Sequence, residues 1–370
     1  HIALNLDGDL ANRDRLYRNR CDGTFEDRSA ALDPHGDPAL YSAALASFAG
    51  HLDNDLWPDI YVANVAGQEG SSHQDRIYRN LGAGQFEEMT PALPGVGEDA
   101  QAAMGIDVGD VDLDGHWDVY IADIYATEFD APPLGNVLYR GGPTPVPGSG
   151  VLMAFSDNEA PQWGVEGTDS WGVNFFDVDL DGDEDLFVAT MASAEDELFF
   201  RNDGDGFAEI SKVAGILTGN SRGSAVADYD RDGDLDLAVI NQGSGGLQIF
   251  RNDTVGAGHW LALELRGVAS STEGIGAVVE LDVGTVTQRR QVKGGSSAHS
   301  QDDLVVFFGV GDAAMVDEVR VYWASGSVQR LVGLEVNRRL EVVEDALMVD
   351  GFEAGDLKRW SAAAGVAAPE

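Results

Sequence analysis

The chain has 370 residues, of which 44% are hydrophobic, enough for two or three domains with packed cores. Its 64 acidic residues against 23 basic give a formal net charge of -41, which sets nucleic acid and anionic membranes against it by repulsion and makes a cation its natural partner. No apolar run approaches the roughly 18 residues of a membrane span, so no membrane insertion is expected, and a lone Cys21 excludes an intrachain disulfide.

Taken from the amino end, His1 stands where a methionine would and no signal peptide is visible, so the sequence reads as a fragment or a mature chain. The first recurring element is Leu16-Tyr17-Arg18-Asn19 followed by Gly23-Thr24-Phe25, two short strands about a turn. The phrase returns as Ile77-Tyr78-Arg79-Asn80 with Gly84-Gln85-Phe86 and as Phe199-Phe200-Arg201-Asn202 with Gly206-Phe207. Partial copies stand at Leu138-Tyr139-Arg140 and Ile249-Phe250-Arg251-Asn252.

Ahead of the last four copies lie four aspartate ladders. In the first, 51–59, Asp53, Asp55 and Asp59 persist, with His51 at position 1 and Leu56 at position 6. The other three are complete: Asp110, Asp112, Asp114, Gly115 and Asp118; Asp177, Asp179, Asp181, Gly182 and Asp185; Asp228, Asp230, Asp232, Gly233 and Asp236. Calcium takes about six to eight oxygen ligands, and a tight loop meets that need with carboxylates at positions 1, 3, 5 and 9, a turn glycine at 6 and a backbone carbonyl at 7. Position 7 holds His116, Asp183 and Asp234, ligating through the backbone. Where a helix-flanked loop would carry a bidentate Glu, Ile121, Val188 and Val239 stand in β-branched runs, so these loops are expected to join strands. Three calcium sites, mainly structural, follow, because the repulsion of so many clustered carboxylates would otherwise oppose folding. The 51–59 copy is expected to bind weakly or not at all, since leucine resists a positive φ and one carboxylate is lost.

The last aspartates of the four ladders are 59, 67 and 51 residues apart, a period of propellers or arrays. The third unit reads as four strands, Gly172 to Phe176, Leu186 to Thr190, Glu197 to Arg201 and Phe207 to Ile210, which is the content of a propeller blade. About five blades are represented; Ile2 corresponds to Ile60, so the first is expected to be incomplete. Gly105, Gly172 and Gly223 precede their ladders by five residues, where the altered copy has Ala46. Close backbone approach near the propeller axis and ordinary strand punctuation both account for them. Gly141 to Gly164 is a Gly- and Pro-rich insertion, a long face loop that either binds or is slack.

After Asn252 the repeat stops. Trp260 to Leu265, Ala277 to Leu281, Thr287 to Val292, Leu304 to Phe308, Val316 to Trp323 and Arg339 to Val343 read as strands of a separate small all-β module, a sandwich. The polar decapeptide Gly294 to Asp303 is long enough to be a site, and its Ser, His and Asp invite a triad, but triad members normally converge from distant segments. The expected domains are 1–257, 258–345 and a tail at 346–370.

The ladder with its Leu-Tyr-Arg-Asn and Gly-x-Phe tail resembles the FG-GAP or VCBS repeat of integrin-α-like propellers. Trp260-Leu261, Gly274-Ile275-Gly276-Ala277, Gly294-Gly295-Ser296, Ser300-Gln301-Asp302-Asp303 and Phe308-Gly309-Val310-Gly311 together resemble the ASPIC/UnbV domain, which accompanies those repeats in bacterial proteins and in cartilage acidic protein. The resemblance implies a secreted, calcium-binding propeller, of about seven blades in that family, and no catalytic residue. Met348 to Trp360 is similar to a short segment that ends exported proteobacterial proteins.

Two functions follow. One is an extracellular or cell-surface calcium-binding propeller, bacterial in type, that binds or adheres to a protein or glycan without catalysis. The alternative is a secreted polysaccharide lyase or hydrolase using an acidic pair on a propeller face. No metalloprotease His pair, phosphate loop or nucleophile elbow is present, and most acidic pairs belong to the ladders, so no catalytic residue is assigned.

Overall fold

A computed structural model of the chain describes residues 15–20, 22–32, 43–55, 57–65, 75–90, 93, 96, 102–124, 135–142, 154–167, 169–191, 197–216, 220–242, 245–254 and 258–345. The expectations for Ile2, Cys21, Leu56, the middle of the 141–164 insertion and the tail lie outside the described residues. No helix among those described is long and apolar enough to cross a membrane.

Runs of Val, Ile, Phe and Tyr, cut at intervals by Gly and Asp, fold into successive antiparallel sheets whose strands keep chain order. β1 (Tyr17–Asn19) and β2 (Phe25–Asp27) form a hairpin. Four strands follow as one sheet, β3 (Ala43–Gly50), β4 (Asp59–Val65), β5 (Arg76–Asn80) and β6 (Phe86–Glu88). The next has three, β7 (Ala103–Gly109), β8 (Asp118–Asp123) and β9 (Val137–Tyr139). Then come four, β10 (Ser170–Phe176), β11 (Asp185–Thr190), β12 (Leu198–Asn202) and β13 (Phe207–Glu209), and three, β14 (Ser221–Ala227), β15 (Asp236–Asn241) and β16 (Gly246–Phe250). Four strands per unit therefore hold in two of these sheets. In the β7 sheet a lone bridge, Gly141 to Phe155, stands where the insertion diverts the chain, and after β16 the chain leaves for the next module.

The first strands β3, β7, β10 and β14 pack side by side in that order, so the sheets fan about one axis as propeller blades. Along β8, Val119 and Ile121 join Phe48, Tyr61 and Ile77 of the preceding blade, while Tyr120 and Ala122 join Val173, Phe175 and Leu186 of the following one. Burial on both faces makes such a strand read as a continuous apolar run. Each of the four turns from first to second strand is an aspartate ladder, so the ladders share one corner of successive blades.

The carboxyl-terminal module is a sandwich of seven strands: β17 (His259–Arg266), β18 (Val278–Val283), β19 (Val286–Gln291), β20 (Val306–Gly311), β21 (Met315–Tyr322), β22 (Val328–Glu335) and β23 (Arg338–Val343). One sheet runs β20-β17-β23, with β17 and β23 parallel, and the other β19-β18-β21-β22. Leu263, Val279, Leu281, Phe308, Val319, Trp323 and Leu340 lie between them. β22 is the strand that alternation misses. It is an edge strand whose buried residues, Leu331 and Leu334, are three apart because Gly333 takes φ 64° between them.

The decapeptide 294–303 reaches from the sandwich to the propeller axis. Ser297 bridges Ile106, and its Oγ accepts the amides of Val173 at 3.1 Å and Ser224 at 3.3 Å. Asp302 accepts Asn174 Nδ2 at 2.8 Å and the Val226 amide at 2.9 Å. His299 is exposed, so Ser297 and Asp302 serve docking and the three residue types form no triad. A Cβ on Gly172 would lie 2.6 Å from Ser297 Oγ, one on Gly223 2.8 Å from the Ala298 carbonyl, and one on Gly105 would overlap the Trp171 carbonyl. Close approach at the axis is therefore the reason for these three glycines.

Candidate metal centres

Two left-handed residues curl each complete ladder. Position 4 has φ 57° at Leu113, 64° at Leu180 and 64° at Arg231, and position 6 has φ 83° at Gly115, 109° at Gly182 and 102° at Gly233. The curl draws Asp110, Asp112 and Asp118 together, each offering a carboxylate oxygen within 4.8 Å of the others, and likewise Asp177, Asp179 and Asp185, and Asp228, Asp230 and Asp236.

Position 9 is also a pin. The two oxygens of Asp118 accept the amides of Val111 and Gly141, both at 2.8 Å. Asp185 accepts Val178 at 2.6 Å and Asn202 at 2.8 Å, and Asp236 accepts Tyr229 at 3.0 Å and Asn252 at 2.9 Å. The loop's second residue is thereby tied to the end of the blade's third strand.

At position 1, Asp110 Oδ2 accepts the Gly115 amide at 3.1 Å and Asp177 Oδ2 the Gly182 amide at 2.9 Å. The other oxygens, Asp110 Oδ1, Asp177 Oδ1 and Asp228 Oδ1, are buried without a hydrogen-bond donor, as is Asp179 Oδ1. A buried carboxylate oxygen with no donor is costly, and three such loops with oxygens converging fit a hard cation. Burial, opposed by Arg290, pushes the Asp110 and Asp177 carboxyls up to about 7, and burial likewise holds Asp118 and Asp185 well above the ordinary range.

Position 5 lies outside these trios. Asp114, Asp181 and Asp232 accept the position 7 amides of His116 at 2.9 Å, Asp183 at 3.2 Å and Asp234 at 3.4 Å, which shapes the turn. The His116 ring bonds Asp114 as well, with Nδ1 at 3.0 Å. Asp183 and Asp234 bring buried, unpartnered Oδ1 atoms beside Asp181 and Asp232; burial first and that neighbour second raise them to about 8 and about 7.

The altered ladder takes its arginine further in: the matching Arg140 and Arg251 each reach one ladder carboxylate, Asp112 and, at 3.5 Å, Asp230, whereas Arg79 bridges two. Arg79 Nε donates to Asp53 Oδ2 at 2.8 Å and its Nη2 to Asp55 Oδ2 at 3.2 Å, so a guanidinium stands among the surviving carboxylates. Asp59 still pins the Leu52 amide at 3.1 Å and the Asn80 amide at 2.9 Å. His51 turns away, its Nε2 lying 3.0 Å from the Gly276 carbonyl. Among the described residues the clusters able to hold a metal are the three complete ladders.

Charged residues that sequence reasoning passed over lie between the ladders and the sandwich. Glu184 accepts the Asp110 amide at 3.1 Å and pairs with Arg290 at 3.2 Å, joining two ladders to β19. Lys293 pairs with Asp107, whose other oxygen accepts the Phe175 amide at 2.8 Å. The one available signal was Asp107 itself, a carboxylate inside an apolar strand; Glu184 is position 8 of its ladder, where the other two complete ladders have Trp117 and Leu235, and Arg290 and Lys293 belong to another module.

Residues 51–121 and 177–239 match the FG-GAP-like repeat, and residues 267–347 match the family described as ASPIC and UnbV. No curated protein matches the chain. Among solved structures, an exo-β-1,3-galactanase from Phanerochaete chrysosporium is 10% identical, over 53% of this chain and 44% of that one, with a TM-score of 0.31. A biofilm matrix protein of V. cholerae is 15% identical over 78% of this chain and 48% of that one, with a TM-score of 0.27. The chain thus spans less than half the length of these structures, and likeness at this distance says nothing of chemistry. The chain carries FG-GAP-like repeats, folded as propeller blades with aspartate ladders at their corners, and an ASPIC and UnbV domain on their carboxyl-terminal side.

Proposed function

We propose that this is an extracellular calcium-binding propeller module that binds or scaffolds and does not catalyse. The observation that carries the reading is the recurrence, at three successive blade corners, of three converging carboxylates with buried oxygens lacking a donor. Positions 1, 3 and 9 supply the core of each site. Asp114, Asp181 and Asp232 add a position 5 carboxylate, and His116, Asp183 and Asp234 a backbone carbonyl, the oxygen set that calcium takes. The ion supplies charge neutralisation at corners that hold blades together, which is a structural role. Loops built from aspartate suit the higher calcium outside a cell, and the acidic surface favours a protein or glycan partner over nucleic acid.

Against catalysis stands the occupation of the acidic pairs. Those in the ladders are pinned by amides or turned into a metal cluster, and Asp302 is consumed by Asn174 and Val226. Calorimetric calcium titration, with thermal melts in calcium and in chelator, tests the proposal. Three sites and a large loss of melting temperature in chelator are expected; melting indifferent to chelator, or calcium-dependent turnover of a polysaccharide, overturns it.

A further inference from the structure

The sandwich rests on the ladders themselves. At the 177–185 ladder, the Gly309 amide of β20 donates to Asp177 Oδ2 at 3.1 Å, Arg290 Nη2 donates to the Gly182 carbonyl at 3.1 Å and the Gly311 amide to the Leu180 carbonyl at 2.8 Å. The Leu180 side chain packs with Ala262 and Phe307 of the sandwich. At the 110–118 ladder, Arg289 Nη1 donates to the Gly115 carbonyl at 2.9 Å, and at the 228–236 ladder the Trp260 indole covers Gly233. Even the altered ladder takes part: the His51 amide donates to Gln291 Oε1 at 2.7 Å, and Gln291 Nε2 returns a bond to the His51 carbonyl at 3.1 Å.

We infer that metal occupancy of the ladders and docking of the sandwich are one coupled equilibrium, in which the carboxyl-terminal module is held to the propeller only while the ladders are charged with calcium. This rests on the calcium reading above. The geometry behind it is a shared conformation. Asp177 gives Oδ2 to the Gly182 and Gly309 amides and keeps Oδ1 buried without a donor, while the same carboxylate belongs to the cluster, so one carboxylate orientation serves both. The left-handed turns at Leu180 and Gly182 that gather the carboxylates also present the Leu180 side chain and the Gly182 carbonyl to β17, β19 and β20. Three carboxylates within 4.8 Å repel one another, so a ladder lacking its cation relaxes outward and withdraws those groups. Linkage is reciprocal: what metal does for docking, docking does for metal affinity.

The test uses the whole chain and two readouts. A Cβ at Gly309 would strike Asp177 Oδ2 and lie 2.5 Å from Leu180 Cα, so Gly309→Ala keeps every ligand but disturbs the seat at the carboxylate that it shares with the cluster. Calorimetric titration of Gly309→Ala is expected to show three calcium sites still, with one weakened about tenfold, within the ordinary range of coupling between sites. Small-angle scattering of the unmutated chain is expected to show a larger radius of gyration in chelator than in calcium. Unchanged affinity at all three sites in Gly309→Ala, or an unmutated chain that releases its calcium and stays equally compact, overturns the coupling alone. A chain that binds no calcium overturns the reading beneath it.

Discussion

Asp59, Asp118, Asp185 and Asp236 each hold two backbone amides with one carboxylate, and in the complete ladders the same residue also faces the cluster. The two duties separate by substitution. Asp185→Asn turns an NH2 toward one of two amides and is expected to lose about 1–3 kcal/mol of stability even in chelator. Asp179→Asn removes a cluster oxygen and no pin, so its deficit is expected only with calcium present. Urea unfolding of both variants in the two conditions checks this, and identical behaviour refutes it. Arg79 offers the complementary case. Arg79→Leu strands the buried Asp53 and is expected to cost about 2–4 kcal/mol, by the same amount in calcium and in chelator. Recovery of that loss by calcium would show the altered ladder to be a metal site after all. The ladder ligands were legible because calcium demands them at a fixed local spacing. Arg79 was legible as a recurring residue but not as a cation among Asp53 and Asp55, since that depends on which strand the loop lies against.

Among elements, the blades were read closely: β10 to β13 fall within two residues of the strands expected of the third unit. Continuous apolar, β-branched runs and the ladder punctuation are local signals that survive without tertiary context. β22 did not survive, because an exposed edge strand broken at Gly333 has no alternation to show. The sandwich has its own pin in Glu344, whose Oε2 accepts the amides of Val268 and Ala269 at 2.7 Å and Ser270 at 2.8 Å. Burial raises its pKa, but the hydrogen bonds from Ser325, Ser270 and Val268 prevail and bring it down to about 2, against an ordinary 4.5. A carboxyl lowered on folding stabilises fully above its unfolded pKa and loses that contribution as pH falls toward the folded one. The stability gap between the unmutated chain and Glu344→Gln is therefore expected to be about 1–3 kcal/mol at neutral pH, to shrink below pH of about 4.5 and to close near pH 2. A gap independent of pH would refute the pin.

For the whole molecule, the placement of the second module was beyond sequence reasoning. Nothing in Gly294 to Asp303 announces that its serines will lie against Gly172 and Gly223, because complementarity between surfaces so far apart in the chain leaves no local trace. Truncation after residue 257 is expected to give a product that melts far below the full chain or aggregates, checked by calorimetry of both in calcium. A truncated chain of undiminished melting temperature would show the blades to be self-sufficient. Ser297 meets Val173 across 124 positions and Ser224 across 73, and Gln291 meets His51 across 240. During synthesis the blades therefore emerge long before the piece that joins their inner strands. Folding is thus expected to finish only once the last third of the chain arrives, and contacts so distant in sequence make that step slow.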